Sequence, residues 1–362
     1  MQMDRENTTS FFKKPLVLYI SIAAILALLV GAFIYFRGLP FGNLGDDYIA
    51  KVDDRTISAN LYRHALLIAQ ERALAQYSNV SPEELWSYQQ SDGALTFARA
   101  LEEFELRKLI RTAVINNLFE ENGLELTAAQ NELREKNIAQ RIEEFGGRDA
   151  ADDLFKKYYI SYEDFVGFYE DYDRYELLFL HYFGVDGVYP VSLEEIDRYY
   201  EDNHARIMSI YIPTVDADGN PLPDEEMVEA VNLSVQIQEE AIEDGTNFND
   251  LVAQYNQDPN LPANGYIVSR DYTTIPDFAT AAFSMAEGDV RTILTDHGYY
   301  IMKKLPVLDA SVYTQVERQK ALLSMKSQDF EDIVTKATED SEIVRNEKLF
   351  EEIKVDEISY RQ

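Results

Sequence analysis

Few side chains in this 362-residue sequence are equipped for chemistry, and their scarcity narrows the choice. There is no cysteine, which excludes a thiol nucleophile, thiolate metal ligation and disulfides. The four histidines, His64, His181, His204 and His297, are scattered and unclustered, so their spacing makes no metal set. No glycine-rich phosphate loop, His-Glu-x-x-His helix or serine elbow occurs, and no metal or organic cofactor is expected. Asp216 and Asp218 precede Gly219 as in a calcium loop, but the EF-hand spacing and its closing glutamate are missing, which favours an acidic turn. Carboxylates, hydroxyls and aromatic rings remain. Asp258, ahead of Pro259 in Asn256-Gln257-Asp258-Pro259, is the carboxylate with a candidate role, although aspartate before proline is also an ordinary turn residue.

Asp258 lies in a stretch, Thr246 to Lys304, with a recognisable order of blocks. A helical segment Phe248-Asn249-Asp250-Leu251-Val252-Ala253-Gln254-Tyr255 is followed by the Asp-Pro loop. Then come Ile275-Pro276-Asp277-Phe278-Ala279-Thr280-Ala281-Ala282-Phe283, Gly288-Asp289-Val290 and Gly298-Tyr299-Tyr300-Ile301-Met302. This order resembles the parvulin-type peptidyl-prolyl isomerase domain, the rotamase module of the SurA and PrsA foldases. The resemblance implies catalysis of rotation about the peptide bond before proline, whose barrier is about 18–20 kcal/mol and whose uncatalysed exchange takes tens of seconds or more. Such catalysis requires no nucleophile and no metal. It requires an apolar slot for the proline ring and polar groups that favour the twisted amide over the planar one.

By the same resemblance Phe278 takes the place of the slot phenylalanine, and the slot's methionine position falls on Thr274 or Ile275. Phe283 matches a core position, and Asp258 matches the carboxylate beside the substrate carbonyl. Thr295-Asp296-His297 resembles the family's threonine-x-serine turn, which puts Thr295 and His297 at the rim. The sequence departs from the family at its two histidines, whose positions are occupied by Ser209 and Tyr300. Both carry hydroxyls able to bond each other or Asp258, but neither supplies an imidazole. Whether turnover survives that replacement is left open by the sequence.

The elements that must position these residues are legible in outline. Pro15 to Phe36 is an uncharged run of 22 positions, long enough to cross a hydrocarbon core. Lys13 and Lys14 precede it and Asp46-Asp47 follow, which places residues 1–14 in the cytoplasm and 38–362 outside it. Residues 37–47 read as a glycine-rich spacer. Tyr48 to Ser58 reads as two short strands about an Asp-Asp turn, and from there to residue 204 the pattern is helical. Capping signals recur at Ser58, Ser81-Pro82, Thr127 with Gln130, Ser161 with Asp164, and Ser192 with Glu195. Residues 205–307 form the parvulin-like domain, in which a helix from about Pro223 to Asp244 is expected to turn Met227, Val231 and Val235 inward. Residues 308–362 return to helix and end in a charged tail, which the resemblance implies packs back on the N-terminal helical domain. The expected fold class is α+β: a transmembrane helix, a mostly helical SurA/PrsA-like domain over 48–204, and a small antiparallel sheet with surrounding helices.

An aromatic stripe, Phe165, Phe168, Tyr169, Tyr172 and Phe179, falls on one side of a helix and reads either as core or as a client-binding groove. The formal charge of −32 repels nucleic acid and anionic lipid and favours cationic partners, or serves solubility alone. Three functions fit: an anchored extracytoplasmic prolyl isomerase and foldase acting on unfolded or proline-containing secreted polypeptides, a catalytically silent holdase, or an envelope adaptor. The oligomeric state is not legible.

Overall fold

Tyr48–Val52 and Arg55–Ser58 form strands β1 and β2, joined by a turn in which Asp53 adopts a positive φ of 52°. These strands open the computed structural model, which describes residues 47–361 apart from Asp92, Asp271 and Thr273. The membrane anchor expected over residues 15–36 lies outside the described residues, among which no helix is long and apolar enough to cross a membrane.

The helices that follow are α1 (Ala59–Gln76), α2 (Pro82–Ser87), α3 (Phe97–Glu121), α4 (Ala128–Glu144), α5 (Arg148–Lys157) and α6 (Tyr162–Phe183). The side-chain caps that the sequence predicts at Ser58, Ser81, Thr127 and Ser161 are formed, whereas the helix starting at Arg148 has none. Ser58 accepts from Leu61 N–H, and Thr127 with Gln130 closes a reciprocal capping box. After α7 (Leu193–Asn203) the chain becomes a sheet domain: β3 (His204–Pro213), α8 (Asp224–Ala241), α9 (Phe248–Tyr255), β4 (Tyr266–Ser269), α10 (Pro276–Ser284), β5 (Val290–Leu294) and β6 (Gly298–Leu305). It closes with α11 (Gln315–Asp340), β7 (Ile343–Arg345) and α12 (Glu347–Glu352). The class is α+β, with helices predominating and small antiparallel sheets.

Two units result, one running up to Tyr182 and resuming at Asp329, the other Phe183–Gln328. The first unit is discontinuous because β7 pairs antiparallel with β1, giving a sheet of order β2-β1-β7. The sequence reads the end of residues 308–362 as a charged tail. Instead that tail supplies a strand and the fully buried Phe350, whose ring lies 5.9 Å from that of Tyr62. Two apolar residues among many charges are too short a pattern to declare a strand.

In the second unit the sheet order is β4-β3-β6-β5, antiparallel throughout. The alternation of β3 sends Met208, Ile210 and Ile212 toward α8 and α9, and Ala205 and Ile207 toward α10. On α8 the expected inward set is corrected: Ala230, Ser234 and Ile237 are buried, whereas Val231 and Val235 are exposed. The helical period offers both stripes. The one carrying alanine and serine is buried, since small side chains let the helix axis approach the sheet.

Candidate functional site

The site face is built where β3 and β6 run side by side under α10. Their register sets Ser209 opposite Met302 and Tyr211 opposite Tyr300. Residues two apart on a strand share a face, so Ser209 and Tyr211 stand on the α10 side together with Ile207. Ser209 is buried at the level of Met302, and the hydroxyl-bearing partner of Tyr300 is therefore Tyr211. Their rings lie 4.8 Å apart at 32°.

Helix α10 delivers Phe278. Pro276 occupies its first turn, where the missing N–H costs nothing, and Ala279, Ala281 and Ala282 bury against the strands. Phe278 meets Tyr300 edge-on at 5.2 Å and Tyr266 edge-on at 6.2 Å. It is buried, so the accessible part of the face is made of tyrosine rings with the phenylalanine beneath them. Ile275 is half-buried against the same cluster, at the N-terminus of α10, and Thr274 just before it is exposed.

Asp258 is held at the edge of this face by an asparagine. β4 pairs only with His204 to Ile207 of β3, which leaves the upper edge of β3 open at Tyr211. Residues 256–258 cover it. Asn256 Oδ1 accepts from Tyr211 N–H at 2.9 Å and from Asp258 N–H at 3.2 Å. Its amide nitrogen donates to the Asp258 carbonyl at 2.8 Å, and Gln257 N–H donates to the Tyr211 carbonyl at 3.0 Å. The Asp258 carboxylate then accepts from Asn260 N–H at 2.8 Å through Oδ1 and from the Tyr266 hydroxyl through Oδ2. Tyr266 thus bonds Asp258 through its hydroxyl and packs edge-on against Phe278 with its ring.

Thr295 and His297 lie in the β5–β6 turn, which reaches Tyr211 through its backbone. Thr295 Oγ1 accepts from His297 N–H at 3.2 Å and donates to the Gly298 carbonyl at 3.1 Å. The His297 carbonyl accepts from the Tyr211 hydroxyl at 2.8 Å, while the residue itself is exposed.

Three phenols here resist ionisation. Burial, followed by the Asp258 carboxylate it bonds, pushes Tyr266 well above the usual phenol range. Burial, then Tyr211 and Asp258, pushes Tyr300 up to about 12. Tyr211 is raised by burial and then by Asp258. All three stay neutral hydrogen-bond donors at physiological pH. Among the described residues no group of three histidine, aspartate or glutamate side chains is placed to hold a metal.

Sequence reasoning brings Asp258, Phe278, Ser209 and Tyr300 to notice but passes over Tyr211, Tyr266 and Asn256. A signal for Tyr211 is present. In Ile207-Met208-Ser209-Ile210-Tyr211-Ile212 only positions 209 and 211 break the apolar run, and they share a face.

No family model matches the chain. Among curated proteins it is 24% identical over 209 residues to the foldase protein PrsA of Halalkalibacterium halodurans, a match that takes in 54% of this chain and 58% of that protein. The chain therefore spans less than two thirds of the curated relative it matches. Among solved structures, PrsA from Lactococcus lactis aligns at 13% identity over 84% of this chain and 98% of that one, with a TM-score of 0.34. PrsA from Streptococcus pneumoniae aligns at 15% identity over 70% and 92%, with a TM-score of 0.33. This chain resembles the SurA- and PrsA-like parvulin-type foldases.

Proposed function

We propose that the chain is a membrane-anchored extracytoplasmic foldase whose sheet domain binds extended polypeptide at proline and speeds its cis–trans isomerisation. The observation that carries this reading is the junction at Tyr266, which bonds the Asp258 carboxylate and abuts the Phe278 ring. A proline seated on the tyrosine faces would put its preceding carbonyl beside Asp258. There the carboxylate disfavours the charge-separated planar amide, and the Tyr300 hydroxyl, which has no hydrogen-bond partner among the described residues, can donate to the twisted form. A gain of about 4 kcal/mol from these groups would give roughly a thousandfold. The tether rests on Pro15–Phe36 and its flanking charges.

The test is a protease-coupled or NMR exchange assay of prolyl isomerisation on residues 38–362. Activity should fall about tenfold or more in Asp258→Ala, with the fold intact by circular dichroism. Wild-type rates equal to buffer would overturn the enzymatic reading.

A second reading, a holdase without turnover, is favoured by a groove in the first unit. Leu133 of α4 and Phe168, Tyr169 and Tyr172 of α6 line a hollow of about 520 Å³, and Leu133 and Tyr172 are largely exposed. Other parts of the aromatic stripe, Phe165 and Phe179, are core. Suppressed aggregation of an unfolded client together with background isomerisation would select this reading.

A further inference from the structure

The outer side of α8 carries a row of apolar residues that no element among the described residues covers. Val228 is 58% exposed, Val231 37%, Val235 52%, and Ile242, just past the helix end, 64%. At 3.6 residues per turn the four fall in one narrow stripe about 20 Å long, roughly a third of a turn from the buried face. Valine is a poor choice for a solvent-facing helical site, costing about 0.5 kcal/mol relative to alanine, so folding does not call for it there.

Charge identifies what would cover the stripe. Between Arg206 and Arg270 the chain has twelve acidic side chains and not one lysine, arginine or histidine. Glu225, Glu229, Glu239 and Glu243 run along one side of the valines, and none has an ion-pair partner among the described residues. A second copy of this chain would bring the same carboxylates against them and be repelled. An anionic membrane surface would be repelled too.

We infer that this face of α8 is a docking surface for a basic amphipathic segment of a partner polypeptide, one that lays an apolar stripe on the valines and lysine or arginine beside the glutamates. Helix α8 packs on the face of the sheet opposite to that of Phe278 and Tyr300, so this is a site separate from the proline face and stands whether or not that face turns over substrate.

The probe is a 14-residue helical peptide of leucine and lysine, amphipathic in one version and scrambled in the other. Each is titrated by calorimetry into the full chain in uncharged detergent. The amphipathic peptide should bind about tenfold or more tighter than the scrambled one. That margin should vanish in Val228→Ser/Val231→Ser/Val235→Ser, while Glu229→Lys/Glu239→Lys should weaken binding most at low salt. Serine and valine have similar helix propensities, so the triple variant should keep its circular dichroism and melting temperature. Equal binding of both peptides would reduce the effect to bulk acidity and overturn the proposal. So would an unaffected triple variant, a wild-type dimer that the triple variant loses in sedimentation, or binding to neutral phosphatidylcholine vesicles that it loses.

Discussion

At the residue scale the site is a set of phenols around one carboxylate, and its behaviour with pH follows. Tyr300 has its pKa pushed up to about 12, chiefly by burial, against 10.0 in the unfolded chain. A raised value means the folded state holds its proton more tightly. Its contribution to stability is therefore complete below pH 10 and is lost as pH rises toward 12. Absorbance at 295 nm should show a late-titrating phenolate population in the wild type, diminished in Tyr300→Phe, and the stability gap between the two proteins should narrow over that window. If the two titrate identically, Tyr300 is not shielded and the tightly packed tyrosine face is wrong. The same residues mark the limit of sequence reading. The sequence points to Asp258 and Phe278 because the spacing of their blocks resembles the family's, whereas Tyr266 reaches Asp258 only once β4 pairs with β3. Nothing local to Gly265-Tyr266-Ile267 announces that.

At the scale of elements, the sequence makes several helix starts legible, those after Ser58, Ser81, Thr127, Ser161 and Ser192, because caps are local. What it left illegible was the clamp of residues 256–258 on β3 and the closeness of the β5–β6 turn to Tyr211. Gly298 makes that closeness possible. Its φ is 156°, and a Cβ there would stand 2.3 Å from the Ile212 carbonyl oxygen and 2.8 Å from a ring carbon of Tyr211. Because the obstruction is partly backbone, it cannot swing aside as a side-chain tip would. Gly298→Ala should therefore cost about 2–4 kcal/mol in urea unfolding and displace the His297 carbonyl from the Tyr211 hydroxyl. An alanine variant with wild-type stability would mean that the turn adjusts freely and does not position Tyr211.

At the scale of the whole molecule, the first unit is completed only when the end of the chain returns to its beginning. Asn346 donates through its backbone to the Ile49 carbonyl at 2.9 Å and through its side chain to that of Tyr48 at 3.1 Å. Arg345 pairs with Glu103 at 3.1 Å, and Arg99 stacks over the Phe350 ring at 4.2 Å. Glu102, buried on α3, accepts from Val355 N–H at 3.1 Å and lies 3.7 Å from the Lys354 ammonium. Burial raises its carboxyl pKa, and those two contacts, with Arg99, pull it back. Removing residues 341–362 would leave Glu102 buried without the Val355 amide and the Lys354 charge, strip β1 of a neighbour, and open a hole the size of Phe350. The last of these alone costs about 3–5 kcal/mol, a large share of the 5–15 kcal/mol that holds a domain together. The truncated protein should lose most of its helical circular dichroism and unfold well below the full chain. Phe350→Ala should do so in milder form, lowering the urea midpoint by the equivalent of about 3–5 kcal/mol. Because the Phe183–Gln328 unit has its own core on both faces of its sheet, its tyrosine signals should survive as a second, unshifted transition. A truncated chain that melts like the full one would make the C-terminal segment an appendage, and a single transition shifted as a whole would mean that the two units fold as one.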